Sequence, residues 1–261
     1  MRSIGPLLLG LTCLAAAAPG SAQTSFGRAL IVGEGEVFVG EPANGNAFRP
    51  GRVYVYRKVA GLWKEAARLT APKPERADGF GSGLALAGST LFVARSDGSS
   101  IQVFDKQTNG SWKAMGAIAT TGATEGPLGP MVGVGDWLFL GLPGRALGGR
   151  SGGGGRGGQQ EANLTPGAVI VYRRGTDGEW AQRVRLAAAE PAPGDAFGSA
   201  IALADGVAMI GAPGAKERAG AVYPFLFDSI SRNWQQFTAL QAREPQANEA
   251  FGSSVTLVSG K

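Results

Sequence analysis

One short pattern recurs along this chain, and it constrains the fold more than any other feature. In FGSAIALADGVAMIGAP, from Phe197, a Phe-Gly pair and a Gly-Ala-Pro ending enclose two apolar runs separated by Asp-Gly. Related stretches begin at Phe26, Phe80 and Leu128, and a shorter one begins at Phe251. The intervals from 26 to 80 and from 197 to 251 are equal. Such self-similarity predicts a repeat architecture, in which each unit buries its core by stacking on its neighbours.

Each repeat contains four segments with the character of strands. The two runs after Phe-Gly are apolar on both faces, which predicts strands buried from two sides. A third segment, such as GRVYVYRK from Gly51, alternates and fits a half-exposed strand. The fourth is predicted to be an outer edge strand, because it mixes polar residues with one Trp per unit, at Trp63, Trp112, Trp180 and Trp234. We expect these tryptophans to pack between neighbouring units rather than to form a ligand-stacking set.

Tight turns are predicted between the first two strands of each unit. Gly with Asp, Ser or Glu fits two-residue hairpins of type I′ or II′, whose central residues need positive φ. These pairs are Glu34-Gly35, Gly88-Ser89, Gly135-Asp136, Asp205-Gly206 and Ser259-Gly260.

Tandem four-stranded antiparallel units predict an all-β protein made of β-propeller blades. Four units start near residues 26, 80, 128 and 197, and a fifth starts near 251. Because the fifth unit stops inside its tight turn, which would leave a strand unpaired, we expect the sequence to be a fragment of a larger ring.

The recurring Phe-Gly, Gly-Ala-Pro and Gly-Ala-Val segments, with a Trp between them, resemble the FG-GAP repeat family. Its best-known members form the seven-bladed propeller of integrin α-subunits, and the likeness is closest to short repeats of secreted bacterial proteins. The resemblance covers residues 26–261 and implies a binding or adhesion scaffold. Gly-Ala-Pro is complete only at Gly211-Ala212-Pro213 and is lost at Ala94-Arg95-Ser96. Integrin-type repeats hold calcium in an Asp-rich loop, which here has shrunk to a tight turn, so no metal site is expected.

The N-terminus predicts export. Residues 1–22 combine Arg2, an apolar stretch and a small-residue ending, as in a secretory signal peptide cleaved after Ala22. A lipid anchor on Cys13 is the alternative, but Gly10-Leu11-Thr12 lacks the usual order of residues before such a cysteine. Cys13 is the only cysteine and the chain has no histidine, which excludes thiol and imidazole catalysis and ordinary zinc sites in the mature chain. The small positive net charge, +5, does not indicate nucleic-acid binding, and no transmembrane segment is expected in the mature chain.

Two sets of side chains are candidates for function. The Gly-rich loop 144–166 lengthens the third unit, and Arg145, Arg150 and Arg156 within it could engage an anionic partner, although its composition also fits a flexible linker. The acids Asp78, Glu125, Asp195 and Glu249 precede the Phe-Gly positions. Paired carboxylates could serve a glycosidase, but a repeated acid favours a turn or a cap.

These observations predict an exported, non-catalytic propeller scaffold at or outside the cell surface, with a protein or glycan partner and with no cofactor. The alternative is a propeller module attached to an enzyme or a surface anchor encoded beyond residue 261.

Overall fold

A computed structural model describes residues 25–33, 35–43, 48–120, 128–144 and 165–258. Within these residues, sixteen strands form four sheets, and each sheet contains four antiparallel strands in chain order. The predicted all-β architecture of four propeller-like blades is therefore confirmed. The signal peptide and the Ser259-Gly260 turn lie outside the described residues.

The blades are defined by the following strands. Blade 1 contains β1 (Ala29–Gly33), β2 (Glu36–Glu41), β3 (Arg52–Val59) and β4 (Leu62–Leu69). Blade 2 contains β5 (Gly83–Ala87), β6 (Thr90–Ala94), β7 (Ser100–Lys106) and β8 (Trp112–Ala119). Blade 3 contains β9 (Met131–Val134), β10 (Trp137–Leu142), β11 (Ala168–Arg174) and β12 (Trp180–Leu186). Blade 4 contains β13 (Ala200–Ala204), β14 (Val207–Ala212), β15 (Ala221–Asp228) and β16 (Asn233–Gln236).

The first strands of the blades contact one another in the order β1, β5, β9 and β13, so that the blades follow one another along an arc. Because every sheet is an antiparallel meander, its connections alternate between the two ends of the strands. The loops between second and third strands share one end with the connections between blades, and we call this end the loop face. The two-residue turns lie at the other end, which we call the turn face.

Three of the predicted tight turns are present on the turn face, whereas Glu34 of the Glu34-Gly35 turn lies outside the described residues. Asp205 and Gly206 both have positive φ, 48° and 75°, as a type I′ turn requires. At Gly88-Ser89 and Gly135-Asp136 only the glycine has positive φ, 56° in both, which is the pattern of type II′. These turns fix the register in which each pair of apolar strands meets.

The core consists of three apolar clusters, and each cluster lies between two neighbouring blades. The first joins blades 1 and 2 around Phe38 and Phe80, the second joins blades 2 and 3 around Phe92 and Leu140, and the third joins blades 3 and 4 and contains Phe197. We call these contacts the first, second and third junctions. Stability therefore depends on stacking between blades, as in other repeat proteins.

The expectation that both inner strands are buried from two sides is wrong for β1. Leu30 on β1 is 62% exposed, whereas Leu84 and Ile201 occupy the same register in blades 2 and 4 and are 9% and 8% exposed. Each of these two residues packs on the blade before it. Blade 1 has no described blade before it, so Leu30 and Val32 remain exposed.

Three glycines explain why the Phe-Gly and Gly-Ala-Pro pairs recur. At the third junction, a Cβ on Gly141 would lie 2.3 Å from the Gly198 carbonyl oxygen, and one on Gly167 would lie 2.3 Å from the Phe197 oxygen. Gly198 itself has a φ of +91°, and a Cβ there would lie 2.6 Å from the Ala168 oxygen. The two backbones approach so closely that no side chain fits between them. The motif is therefore a device for joining blades.

Candidate functional site

The candidate loop of the third unit can be placed only by its ends. Arg145, Arg150 and Arg156 lie outside the described residues. The flanking residues Gly144 and Thr165 are on the loop face, where the Thr165 carbonyl accepts a hydrogen bond from the Gly194 amide of the next connection, at 3.4 Å. A ligand-binding role for the three arginines stays a prediction.

The repeated acids act as caps of the connections on the loop face. Asp78 Oδ1 accepts hydrogen bonds from the amides of Gly51, at 2.7 Å, and Phe80, at 3.2 Å. Asp195 Oδ2 accepts one from the Ala192 amide at 2.8 Å, and Glu249 Oε2 accepts one from the Gln246 amide at 3.0 Å. The interpretation of the repeated acid as a structural element is thus confirmed for these three positions, whereas Glu125 lies outside the described residues.

The Gly51 bond of Asp78 crosses from blade 2 to blade 1, so this carboxylate also ties a junction together. Asp195 is buried, and that burial raises its pKa even though the Ala192 amide and the charge of Lys216 act in the opposite direction. A raised pKa is also found in catalytic carboxyl groups, and it is the only property that Asp195 shares with them here. Its hydrogen bond to the main chain three residues earlier accounts for its position without any substrate.

Glu41, a further acid of blade 1, is held by an arginine and a tyrosine. Arg49 donates to both oxygens of Glu41, at 2.9 and 2.7 Å, and the Tyr54 hydroxyl donates to Oε2 at 2.8 Å. Burial raises the pKa of Glu41, but these hydrogen bonds outweigh it and hold the pKa below its ordinary value. A carboxylate so engaged stays ionised at neutral pH and is not poised to transfer a proton.

Glu36 takes part in an inter-blade contact whose position, but not whose chemistry, recurs at all three junctions. Its carboxylate accepts hydrogen bonds from Arg57 Nε at 2.5 Å and from Lys106 Nζ of blade 2 at 2.9 Å. A groove of about 610 Å³ opens beside this ion pair on the turn face. Glu36 is the only acid among the described residues that line the groove. Because it is already paired with two cations, it is not poised to act as a general acid or base.

At the second and third junctions, different residues occupy the position that the Glu36–Lys106 pair has at the first. At the second, Arg174 of blade 3 pairs with Asp105 of blade 2 at 2.7 Å. At the third, the ring of Phe227 lies 4.9 Å from that of Trp137. The strand registers show that Lys106, Arg174 and Phe227 are equivalent, since each pairs with the Trp of its outer strand.

Three of the four outer-strand tryptophans pack between blades, as predicted, whereas Trp63 of blade 1, which has no described blade before it, is 44% exposed. Trp112 meets Phe38 of the preceding blade edge to face at 5.2 Å, Trp180 meets Phe92 at 4.8 Å, and Trp234 meets Phe139 at 5.0 Å. Each of these three tryptophan rings packs in a different junction, so the rings do not line one common pocket.

One charged segment of the loop face was missed by the sequence reasoning. Between β14 and β15, Lys216, Glu217 and Arg218 have φ values of 52°, 58° and 67°, so three consecutive residues with side chains adopt the left-handed conformation. All three are exposed. Glycine would adopt this backbone without strain, whereas other residues cost about 1–2 kcal/mol each.

The main chain holds this left-handed turn in place. The Ala250 amide donates to the Arg218 carbonyl at 3.0 Å, and the Gly220 amide donates to the Ala215 carbonyl at 2.9 Å. The only signal in the sequence was a short charged run, KER, which begins three residues after Pro213 of the complete Gly-Ala-Pro. Strained backbone is found most often at active sites, ligand clamps and switch regions.

Comparison with protein families gives a match that spans the third junction. The model of the FG-GAP repeat matches residues 180–227, from the outer strand of blade 3 to the third strand of blade 4. Residues 180–227 are an FG-GAP repeat. The resemblance predicted from the sequence is therefore confirmed over these residues. The matched stretch includes Phe197 and Gly198, whose carbonyl oxygens lie against Gly167 and Gly141 at the third junction. A comparison with curated proteins gave no match.

Two solved structures are similar in outline to this FG-GAP-containing chain. One is a protein from Lactobacillus plantarum, with 17% identity and a TM-score of 0.49. The alignment covers 78% of this chain and 51% of that protein, so this chain spans about half of its length. The other is a 6-phosphogluconolactonase-like protein from Bacteroides fragilis, at 14% identity and a TM-score of 0.43, with 83% and 71% covered. Both scores are too low for either likeness to inform function.

No group of three or more His, Cys, Asp or Glu residues that could hold a metal ion is found among the described residues of the four blades. In the same part of the chain, no helix is long and apolar enough to cross a membrane.

Proposed function

We propose that this protein is an exported, non-catalytic FG-GAP propeller scaffold that binds an extracellular protein or glycan through its loop face. The observation that carries the proposal is the left-handed turn at residues 216–218. Its backbone is strained, and its two cationic side chains and one acidic side chain are exposed to solvent. The Arg-bearing loop 144–166 enters and leaves the same face. The acids Asp78, Asp195 and Glu249 support a non-catalytic role, because each caps its own connection.

Arginine is the side chain best suited to paired hydrogen bonds with a carboxylate or sulfate. Arg145, Arg150 and Arg156 together with Lys216 and Arg218 would therefore favour an acidic partner. An FG-GAP repeat and a predicted signal peptide both fit a role outside the cell.

Binding can be tested on an array of neutral, uronate-containing and sulfated glycans, with immobilised acidic and basic proteins beside them. We expect saturable binding to acidic surfaces by the chain that begins at Gln23. Replacement of Arg145, Arg150 and Arg156 by Gln should weaken it, and so should replacement of residues 216–218 by Gly. The matched control replaces Lys58 and Arg232, which lie outside the loop face, by Gln.

Equal binding by the loop variants and the control would contradict a loop-face site. Breakdown of an array glycan would contradict the absence of catalysis. Export is tested separately, by expressing the full chain in a secreting host and sequencing the N-terminus of the released protein. A start at Gln23 is expected, and retention of the whole chain inside the cell would contradict export.

A further inference from the structure

Two equivalent turns on the turn face differ at one informative residue. The connection between β7 and β8 reads TNGSW and that between β11 and β12 reads TDGEW. In both, the amide of the first turn residue donates to a carbonyl four residues on at 2.8 Å, from Gln107 to Ser111 and from Gly175 to Glu179. In both, the glycine has positive φ, 79° at Gly110 and 85° at Gly178. The turns are therefore superimposable in their hydrogen bonding.

The side chain before each glycine plays the same part. Asn109 Oδ1 accepts a hydrogen bond from the Ser111 amide at 2.9 Å, and Asp177 Oδ1 accepts one from the Glu179 amide at 3.0 Å. Blade 3 thus shows that an aspartate fits this turn with the main-chain hydrogen bond that the asparagine makes in blade 2. Asn109 is also exposed to solvent.

We propose that Asn109-Gly110 is a site of spontaneous covalent modification, at which Asn109 is converted to aspartate or isoaspartate. The Gly110 nitrogen, after losing its proton to base, attacks Asn109 Cγ. A new C–N bond forms, the bond from Cγ to the side-chain nitrogen breaks, and ammonia leaves with the proton that it gains from water. Water then opens the resulting succinimide at either carbonyl. No oxidant, reductant or enzyme is needed.

Two features of the structure determine how fast this reaction proceeds. Gly110 has no Cβ to crowd its nitrogen, and the asparagine side chain is open to water. In the closed turn the Gly110 amide donates to the Gln107 carbonyl at 2.8 Å, so the nitrogen is freed when the turn opens. The rate in the folded protein therefore follows the local opening of the β7–β8 turn.

The two products have different consequences for the first junction. The Gly110 carbonyl accepts a hydrogen bond from Arg57 Nη2 of blade 1. Aspartate keeps the main chain unchanged, as Asp177 does in blade 3. Isoaspartate inserts an extra carbon into the main chain, which displaces the Gly110 carbonyl from Arg57. The isoaspartate form is therefore the one that loosens blade 1 from blade 2.

The experiment incubates the folded chain at mildly alkaline pH and analyses tryptic peptides by mass spectrometry. The site falls in the peptide from Gln107 to Lys113, separate from the chain's other Asn-Gly pair, Asn44-Gly45. We expect time-dependent replacement of the side-chain NH2 by OH in this peptide, with isoaspartate detected by its methyltransferase. The isoaspartate fraction should unfold at a lower temperature, whereas N109D should match the unmodified chain.

Because G110A strains the turn, its intrinsic effect is measured on the chain unfolded in urea, where conversion should be severalfold slower than in the wild type. Unfolding the wild type should also speed conversion severalfold relative to the folded chain. The proposal is overturned if the 107–113 peptide stays unmodified in the folded chain while its unfolded counterpart converts. It is also overturned if G110A and the wild type convert equally fast when unfolded.

Discussion

The three junctions share one geometry but differ in chemistry, and the clearest contrast is between the second and the third. At the third, three glycines let the backbones of blades 3 and 4 touch, and aromatic rings close the turn-face end. At the second, Ala94 stands where the other blades have glycine, and Arg174 pairs with Asp105. A glycine at the first position of the Gly-Ala-Pro segment thus marks the close backbone contact, whereas the outer position can carry either a ring pair or an ion pair.

The first junction combines the two solutions. A Cβ on Gly40 would lie 2.2 Å from the Gly81 oxygen, so the backbones touch as at the third junction, yet Glu36 and Lys106 form an ion pair as at the second. Close backbone contact and outer-position chemistry therefore vary independently. Each can be broken without the other.

The largest expected effect comes from removing the aromatic ring that fills the third junction. Phe197→Ala should lower the free energy of unfolding by about 3–5 kcal/mol, because the ring is 1% exposed and a cavity would remain. Leu128→Ala is the matched change at the second junction, where the equivalent side chain is only half-buried, and should cost less. Urea denaturation of both variants gives the two values, and equal losses would contradict the contrast between these junctions.

A smaller loss is expected from a methyl group at the backbone contact. Gly141→Ala places a Cβ 2.3 Å from the Gly198 oxygen and should destabilise by roughly 1–3 kcal/mol, the range typical of overpacking. The reciprocal change at the second junction, Ala94→Gly, removes a methyl where no such contact is made. Its effect should be under about 1 kcal/mol. If Ala94→Gly proved the more damaging, the glycine contact would not be what the motif provides.

The repeat, the strands and the turns could all be predicted from the sequence because each depends on local patterning. The alternation of Val53 and Val55 with Tyr54 and Tyr56, for example, is confirmed by the burial of the two valines. The exposure of Leu30 could not be predicted, since its local sequence matches that of the buried strands and only the absence of a described preceding blade distinguishes it.

The candidate site was harder to predict for a related reason. Lys106, Arg174 and Phe227 have nothing in common as residues, and their equivalence appears only when the strand register is known. The left-handed conformation of Lys216 to Arg218 goes against local preference, so sequence reasoning had no rule by which to find it.

The ion pair at the first junction should make part of the stability depend on pH. Burial raises the pKa of Glu36, but the bonds from Lys106 and Arg57 hold it below its ordinary value. The contribution is therefore fully present above the pKa of the unfolded chain, near 4.5, and is lost as pH falls through the lower folded-state pKa. Glu36→Gln should cost roughly 1–2 kcal/mol at pH 7, between the values for exposed and buried pairs.

The same variant should lose less stability than the wild type when the pH falls from 7 to 3. Melting temperatures at both values test this. The aromatic pair at the third junction has no charge to titrate, so Phe227→Leu should leave the pH dependence as it is in the wild type. A wild-type pH dependence retained by Glu36→Gln would show that other carboxylates dominate.

The smallest effect is a gain. Ala196 precedes Phe197 with a φ of 57°, and Gly79 holds the equivalent place before Phe80 with a φ of 64°. Ala196→Gly should relieve the left-handed strain and raise the free energy of unfolding by about 0.5–1 kcal/mol, since the strain of roughly 1–2 kcal/mol is partly offset by the entropy that glycine loses on folding. The matched control is Ala202→Gly, in the middle of β13, where glycine should destabilise. If urea denaturation gives a gain in the free energy of unfolding for Ala196→Gly and a loss for Ala202→Gly, relief of strain at the residue before Phe197 explains the gain. A loss in both variants would contradict this prediction and would show that the packing of the Ala196 methyl group matters more than its strain.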